Sequence, residues 1–500
     1  MLFQRTKKRV RGGTCGFLMA GRCLFFHSEE DRVHAERLRV QQVGELSQGL
    51  VELDVITARD LSGANGRFVG ITECREVASF SKVIGGEIAV PGCPPRFTPP
   101  QQPLTIPRRT KAVNYAISSS STPFHHFTYP FEPPLRAIET IQQCTAASIL
   151  AGTDILTSAG SLTKLFRLIR NTNGHTITRF EIDLVNEGST LIISRWEGDP
   201  QFQRTYGYGV WFERETCRYD AGDDDNDDVL KRSTSHHRVV AYSFGGLRCL
   251  VQAETDGYYC QCGEKGHPRV PEDDDDVVPV SPQSSRIPSP KPRRRSSNQS
   301  PPSRLSTSPR SPRSSFSSSS PSSIFSVLAL DDPGDLLSSS SSSPPNNIPV
   351  TTTSSPTLRI HHTGRRVPSQ CLVEVKTRSL KTPSWDAYEE QLYFARRAQL
   401  YVAVRQHGKF LPDGSVLTTG CGVETDGEMR EWERREQDAL GKVAELLKVV
   451  KEKLRGMKES GEVKVSLICE NDGSGRDEGW RVRICRRVDG RGELVPEEFL

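Results

Sequence analysis

Residues 268–366 decide how the rest of this chain can fold. The segment is rich in serine, proline and arginine, and its only aromatic residues are Phe316 and Phe325. So little apolar surface cannot offset the entropy lost on ordering a chain. The segment therefore reads as a disordered insertion, and a folded unit must be assembled from what lies on either side. It carries Ser-Pro pairs, among them Ser281-Pro282 and Ser308-Pro309, and a basic cluster from Lys291 to Arg295. These suit proline-directed phosphorylation and a nuclear-import signal.

Residues 1–110 show no sustained periodicity and end in a proline-rich stretch, so they are expected to be poorly ordered. Their first acid is Glu29, and an early apolar stretch is cut by Arg22. That makes a poor secretory signal. A solvated basic tail is the better reading, with a mitochondrial transit segment as the weaker one. Residues 111–267 and 367–500 carry the fold, as first and second parts of one domain. Two strands are expected around a turn at Glu187-Gly188, and a hairpin around Gly245-Gly246. Beyond the insertion a strand, a helix and a strand follow. A long amphipathic helix is expected over about 430–458, then two closing strands. The fold class is α+β, a mixed, largely antiparallel β core with flanking helices.

Charge narrows the partners. The chain has 66 basic and 62 acidic residues in 500, a net charge of +4. A nucleic-acid site must then be a local patch rather than a global field. No apolar run approaches the roughly 18 residues of a membrane span, so no membrane partner is expected. The 13 cysteines are scattered apart from Cys260 and Cys262, which suits a reduced intracellular compartment.

Chemistry concentrates in two strings, Glu254-Thr255-Asp256 and Glu374-Val375-Lys376, each inside a strand-like apolar run. Side chains two apart share a strand face. Set side by side, the strings would converge three carboxylates and an ammonium, the kit of a Mg²⁺-dependent phosphodiester nuclease. Asp256 and Glu374 are 118 positions apart, and the insertion fills 99 of these, leaving 19. Loop-closure cost grows only logarithmically with length, so the two strands can be neighbours despite it.

The order of motifs resembles the DXO family of decapping enzymes and 5′–3′ exoribonucleases, which includes the nuclear cofactor of the yeast Xrn-type exonuclease. Gly160-Ser161-Leu162-Thr163-Lys164-Leu165 is similar to the family's R-G-H-L-T-K-L segment. The run STLIISRWE is similar to its strand ending in S-E-x-E, and Gly209-Val210-Trp211-Phe212-Glu213 resembles its G-Y-x-F-E motif. Glu254-Thr255-Asp256 stands at the acid–apolar–Asp motif and Glu374-Val375-Lys376-Thr377 at E-L-K-T. Gln391 falls at the glutamine of W-x-Q-S, and LYVAVRQHGKF resembles I-V-V-G-F-R-x-x-x-G. Ala159 replaces the family arginine that helps hold the RNA 5′ end. Glu389 and Leu392 replace the tryptophan and serine around Gln391.

The resemblance implies a PD-(D/E)XK-like nuclease acting on RNA with a modified or phosphorylated 5′ end, in RNA 5′-end quality control. It implies Mg²⁺ or Mn²⁺ held by Asp256, Glu374 and the carbonyl of Val375. Glu213 and Glu254 would bind a second ion or orient water. Lys376 would sit beside the attacking water or the phosphate, and Gln391 would contact either. Lys164, Arg167, Arg195 and Arg238 are candidates for an RNA-backbone groove. A 5′–3′ exonuclease protein is a candidate partner, and the nucleus is expected over the cytoplasm. The alternative is a catalytically weakened relative that binds RNA or a protein, which the departures favour.

Three other motifs are set aside. Asp224 to Asp228 fits the DDxxD string of prenyl-diphosphate synthases, but those place it on a helix in an all-helical fold. Cys260, Cys262 and His267 lack a fourth ligand at zinc-knuckle spacing. His236 and His237 are adjacent on a strand, so they point to opposite faces and suit core or edge positions.

Overall fold

Apolar side chains alternate along the strands beside the insertion, and successive residues feed two different cores. Along Ser233–Phe244, Val240, Tyr242 and Phe244 pack on one side and Val239 on the other. Along Leu247–Thr255, Cys249, Val251 and Ala253 join the first core and Leu250 the second. Strands buried on both faces belong to a sheet covered twice.

The computed structural model describes residues 40–61, 68–106, 113–114, 127–171, 175–185, 189–196, 204–205, 208–219, 227–260, 358–379, 388–406, 408–412, 416–418, 427–459, 464–472, 479–488 and 493–499, with single positions 37 and 476. All of them fall in one compact unit, Met1–His267 with Leu328–Leu500; a second unit, Pro268–Val327, lies outside the described residues.

Among the described residues the larger sheet has eleven strands. From edge to edge these are β1 (Leu50–Thr57), β21 (Trp480–Arg487), β20 (Lys464–Asp472), β8 (His175–Val185), β9 (Thr190–Arg195), β7 (Ile155–Ser158), β13 (Leu247–Thr255), β12 (Ser233–Phe244), β2 (Ile71–Val83), β3 (Glu87–Gly92) and β15 (Ile360–Gly364). The β9–β7–β13 and β3–β15 pairings are parallel, and the others antiparallel. The smaller sheet runs β11 (Cys217–Arg218), β4 (Arg96–Phe97), β14 (Gly257–Tyr258), β16 (Leu372–Ser379), β17 (Gln399–Gln406), β18 (Lys409–Phe410) and β5 (Leu104–Thr105), with β19 (Val416–Thr418) also on β17. A separate pair joins β6 (Val113–Asn114) to β10 (Arg204–Thr205).

The helices are α1 (Glu132–Gln142), α2 (Ala146–Ala151), α3 (Ala159–Arg170), α4 (Gly209–Thr216), α5 (Asp227–Lys231), α6 (Glu389–Ala395), α7 (Glu428–Arg435) and α8 (Gln437–Glu459). Leu162, Leu165, Phe166 and Ile169 of α3 meet Leu440, Val443, Leu447 and Val450 of α8 in the first core. Their three- and four-residue spacing makes one apolar stripe per helix. Leu135 and Ile138 of α1 and Leu150 of α2 cover the opposite face. At the start of α3, Ser158 accepts a hydrogen bond from the Ser161 amide at 3.1 Å, an N-cap. The architecture is α+β with a mixed, largely antiparallel core, as the sequence predicts. Among the described residues no helix is long and apolar enough to cross a membrane.

Three expectations change. Residues 1–110 are not uniformly disordered, because β1 to β5 lie within them and β2 is an interior strand of the larger sheet. The strand signal is hidden for a physical reason. Thr72 to Arg75 of β2 are all exposed, whereas Val77 to Ser81 are all buried, so the period of two never shows. The insertion is also shorter at its far end than 366, because Ile360–Gly364 pairs in parallel with Ile88–Gly92 of β3. The helix expected over 430–458 is two, parted at Glu436, whose carboxylate meets Arg170 at 3.4 Å and Arg435 at 3.3 Å. Residues 261–267, which carry the rest of the cysteine and histidine motif, lie outside the described residues, as do 220–226 of the acidic run.

Candidate active site

Asp256 is the single residue between β13 of the larger sheet and β14 of the smaller one. The chain changes sheets there, beside a closely packed Gly257. A Cβ on Gly257 would lie 3.1 Å from the Pro95 carbonyl oxygen and 3.3 Å from Phe97 Cβ, so a side chain there would need its neighbours to give by a few tenths of an ångström. Across from it, β16 runs antiparallel to β14 with Gly257 opposite Val373, which sets Asp256 against Glu374. The Val375 amide donates to Asp256 Oδ2 at 2.8 Å. The N–H and C=O of one strand residue project to the same side, so the Val375 carbonyl shares the edge that faces Asp256.

Glu374 is buried and engaged on both oxygens. Its Oε1 accepts from Lys376 Nζ at 2.5 Å and from Gln391 Nε2 at 2.5 Å. Its Oε2 accepts from Arg397 Nε at 3.4 Å. Lys376 Nζ also lies 3.7 Å from Asp256 Oδ2. Glu374 and Lys376 thus share a face, as period-two spacing requires. Gln391 reaches them from α6, the helix between β16 and β17.

Glu213 arrives on α4. Phe212 is fully buried and packs on Tyr401 and Phe410, which fixes the helix against the smaller sheet. Gly209 at the helix start sits against Thr377 of β16, 3.5 Å from where a Cβ would be to Thr377 Oγ1. Glu254, two residues before Asp256, is reached by water. The side chain is exposed, yet the surrounding protein still dominates its electrostatics.

The acids act on one another. Burial, then the Asp256 charge, pushes Glu213 well above the carboxylate range. Burial and the Glu374 charge raise Asp256, against the pull of Lys376 and the Val375 amide. Burial and Glu374 raise Glu254, with Lys82 opposing. Burial would raise Glu374 too, but Lys376 and Arg397 outweigh it and hold the carboxyl low. Burial likewise opposes the charge on Lys376, and Glu374 and Asp256 overcome it, keeping the ammonium firmly protonated. Three of the acids therefore hold their protons more readily than free carboxylates do, which is the state that crowded acids adopt when no further cation is beside them. All the acidic donors are hard oxygens, which suits Mg²⁺, Mn²⁺ or Ca²⁺ in kind. Among the described residues no three acid, histidine or cysteine side chains already close on one point as a cage.

The proposed RNA-groove residues scatter. Arg238 is 1% exposed and donates to the Ala395 and Arg396 carbonyls and to Ser369 Oγ, with Glu76 at 3.6 Å. A cation so enclosed cannot line a groove, and this expectation is corrected: Arg238 ties β12 to the end of α6. Arg167 on α3 bonds Glu390 of α6 at 2.6 Å. Lys164 lies one turn earlier on α3, and Arg195 is exposed at the end of β9. His236 and His237 are both buried and point apart, His236 to Ser81 Oγ and His237 to Ser235 Oγ and Gln252. Burial, with Arg397 and Arg238 nearby, lowers His236 to about 3, so it stays neutral.

Sequence reasoning missed Arg397. The signal is faint: an arginine directly before the apolar run of β17. Its position depends on Arg396, whose backbone is left-handed at φ 51° and stops α6. That stop turns the next side chain inward.

Residues 75–315 match a family model described as a domain of unknown function (DUF8563). No curated protein matches the chain. Among solved structures it is similar to Scheffersomyces stipitis Rai1 in complex with (3′-NADP)⁺ and calcium ion, at 12% identity and a TM-score of 0.45, covering 89% of this chain and 98% of that one. Candida albicans Rai1 in complex with pU5-Mn²⁺ matches at 10% identity and a TM-score of 0.43, covering 90% of this chain and 97% of the other. K. lactis Dxo1 in complex with manganese matches at 9% identity and a TM-score of 0.36, covering 89% and 98%. These three solved structures, to which this chain is similar over most of its length, are Rai1 and Dxo1 proteins of the DXO family.

Proposed function

We propose that this chain is a divalent-metal-dependent hydrolase of RNA 5′ ends, acting by decapping, by 5′–3′ exonucleolysis or both, in RNA 5′-end quality control. One observation carries the reading. Asp256, Glu374, Lys376 and Gln391, from three separate elements, meet at the seam of two sheets. The order Asp…Glu-x-Lys on adjoining strands is what a phosphodiester nuclease needs, and the motif order along the chain supports the RNA 5′ end as substrate.

Mg²⁺ or Mn²⁺ would be held by Asp256, Glu374 and the Val375 carbonyl, with Glu213 and Glu254 beside them. Bound there, such an ion polarises the phosphoryl group and acidifies water. The chain's own residues supply the rest. Lys376, kept charged by two acids, offers its ammonium to a phosphate oxygen as negative charge builds. Gln391 holds the Glu374 carboxylate in one orientation. Glu254, reached by water and raised in pKa, is placed to take a proton from an attacking water. The basic cluster Lys291 to Arg295 supports a nuclear setting.

A second reading, an RNA- or protein-binding relative with weakened catalysis, is favoured by the chain's own cations on both Glu374 oxygens. The deciding experiment uses the full chain and 5′-labelled RNAs bearing monophosphate, triphosphate, methylated cap or NAD ends, with Mn²⁺ or Mg²⁺ present or chelated. Metal-dependent cleavage that disappears in Asp256→Ala, Glu374→Ala is the expected result. Binding of RNA without cleavage of any end by the folded protein would establish the second reading instead.

A further inference from the structure

Helix α6 is seven residues long, and Gln391 is the only one of them that is not fully buried. Its first two residues are nevertheless acids, Glu389 and Glu390, 8% and 7% exposed. Burying a carboxylate is costly unless it is paired. A helix start favours acids, but solvent-facing ones would serve that end. Each of these two instead meets an arginine from a different helix. Arg167 of α3 places Nε 2.6 Å and Nη2 2.5 Å from Glu390 Oε1. Arg435 of α7 donates to Glu389 Oε2 at 2.8 Å. Tyr388, the N-cap residue, makes no side-chain capping bond.

Rotation about the helix axis is what such pairs resist. Successive helical residues lie about 100° apart around the axis. Glu389, Glu390 and Gln391 therefore leave α6 in three directions, toward α7, α3 and Glu374. Apolar contacts are non-directional and tolerate a small turn. Charge-assisted hydrogen bonds are directional and do not. A turn that broke the Glu390 pair would also swing Gln391 away from Glu374 Oε1, which it meets at 2.5 Å. Of the two pairs, Arg167 with Glu390 is the more enclosed, since the Arg167 side chain is 32% exposed and that of Arg435 54%. Solvent therefore screens it less.

We infer that the Arg167–Glu390 pair sets the rotation of α6 and so aims Gln391 at Glu374. Arg167 is thus a positioning residue of this centre rather than a ligand of the RNA backbone. The inference rests on the hydrolase reading and deepens it.

Single-turnover kinetics of the full chain test it, on whichever of the four 5′-labelled RNAs the wild type cleaves fastest. Arg167→Met and Glu390→Gln should each lower kcat roughly tenfold, and leave KM within about threefold of wild type. The double variant should lose no more than either single one, because the two residues act as a unit. In the Gln391→Ala background, Arg167→Met should add no further loss. A variant with one buried charge left unpaired can fail to fold. If far-UV circular dichroism shows that for a single variant, Arg167→Met with Glu390→Gln takes its place, since it leaves neither charge behind.

A raised KM with kcat kept in Arg167→Met would make Arg167 an RNA ligand and overturn the inference. In that case Glu390→Gln, which frees the guanidinium, would tighten binding. An unchanged rate per folded molecule would make the pair merely structural and overturn it too. A kcat loss that multiplies with that of Gln391→Ala would overturn the route through Gln391. Each of these results leaves the hydrolase reading intact. No cleavage of any end by the wild type would overturn that reading, and the inference with it.

Discussion

At the scale of single residues, a positive charge beside an acid does different jobs according to burial. Lys376 and Arg238 are both cations beside acids, but Lys376 is partly exposed whereas Arg238 of β12 is sealed in. Removing a buried cation leaves its partner uncompensated. Arg238→Ala is therefore expected to cost about 3–5 kcal/mol in urea unfolding, while RNA affinity per folded molecule stays unchanged. Specific loss of RNA binding without loss of stability would return Arg238 to the groove. Gln391 touches Glu374 rather than replacing it, so Gln391→Ala should lower cleavage by roughly 10–100-fold. Asp256→Ala should fall further than that. Equal losses in single-turnover assays would mean that Gln391 contacts the reacting atoms.

Elements are tied together by pairs that no single element reveals. Asp154, just before β7, accepts from Arg248 of β13 at 3.1 Å and from Lys451 of α8 at 2.9 Å. Burial pushes its carboxyl up, but these bonds outweigh burial and leave it at about 2. A depressed folded value means the folded state binds fewer protons than the unfolded one between the two values. The contribution is therefore present above the unfolded value and is lost as pH falls toward the folded one. Because Arg248 is largely exposed, solvent screening trims the effect. Asp154→Asn should lose about 1–2 kcal/mol at pH 7. The gap from wild type should close as pH drops from about 4 to about 2. A gap that persists in acid would assign the loss to packing.

For the whole molecule, the N-terminal strands are structural. β2 separates β12 from β3 inside the larger sheet, and its Phe80 is fully buried and stacks on His237. A fragment beginning at residue 110 is expected to lack cooperative thermal unfolding, because β12 would become a bare apolar edge. A sharp transition in that fragment would show the sheet closes without β2. The insertion behaves differently. Replacing residues 268–357 with about a dozen Gly and Ser residues should leave cleavage per folded molecule intact, since closure cost changes by only about 1–2 kcal/mol. Loss of activity with retained folding would give the segment a direct part in substrate handling.

What the residues alone determined was local and periodic. The short apolar runs of β12, β13, β16 and β20, the apolar stripe of α8 and the hairpin at Gly245-Gly246 are all legible because each is a local pattern bounded by turn or polar residues. So were Asp256, Glu374 and Lys376, whose spacing puts them on strand faces before any fold is known. Tertiary structure decided the remainder. β2 escaped because one half is exposed on both faces and the other buried on both. Arg238 failed as a groove residue because sequence records charge and not depth. Arg397 was invisible because its meaning depends on a left-handed turn at Arg396 and on a strand 23 positions back, whose acid it meets only once β16 and β17 pair in parallel.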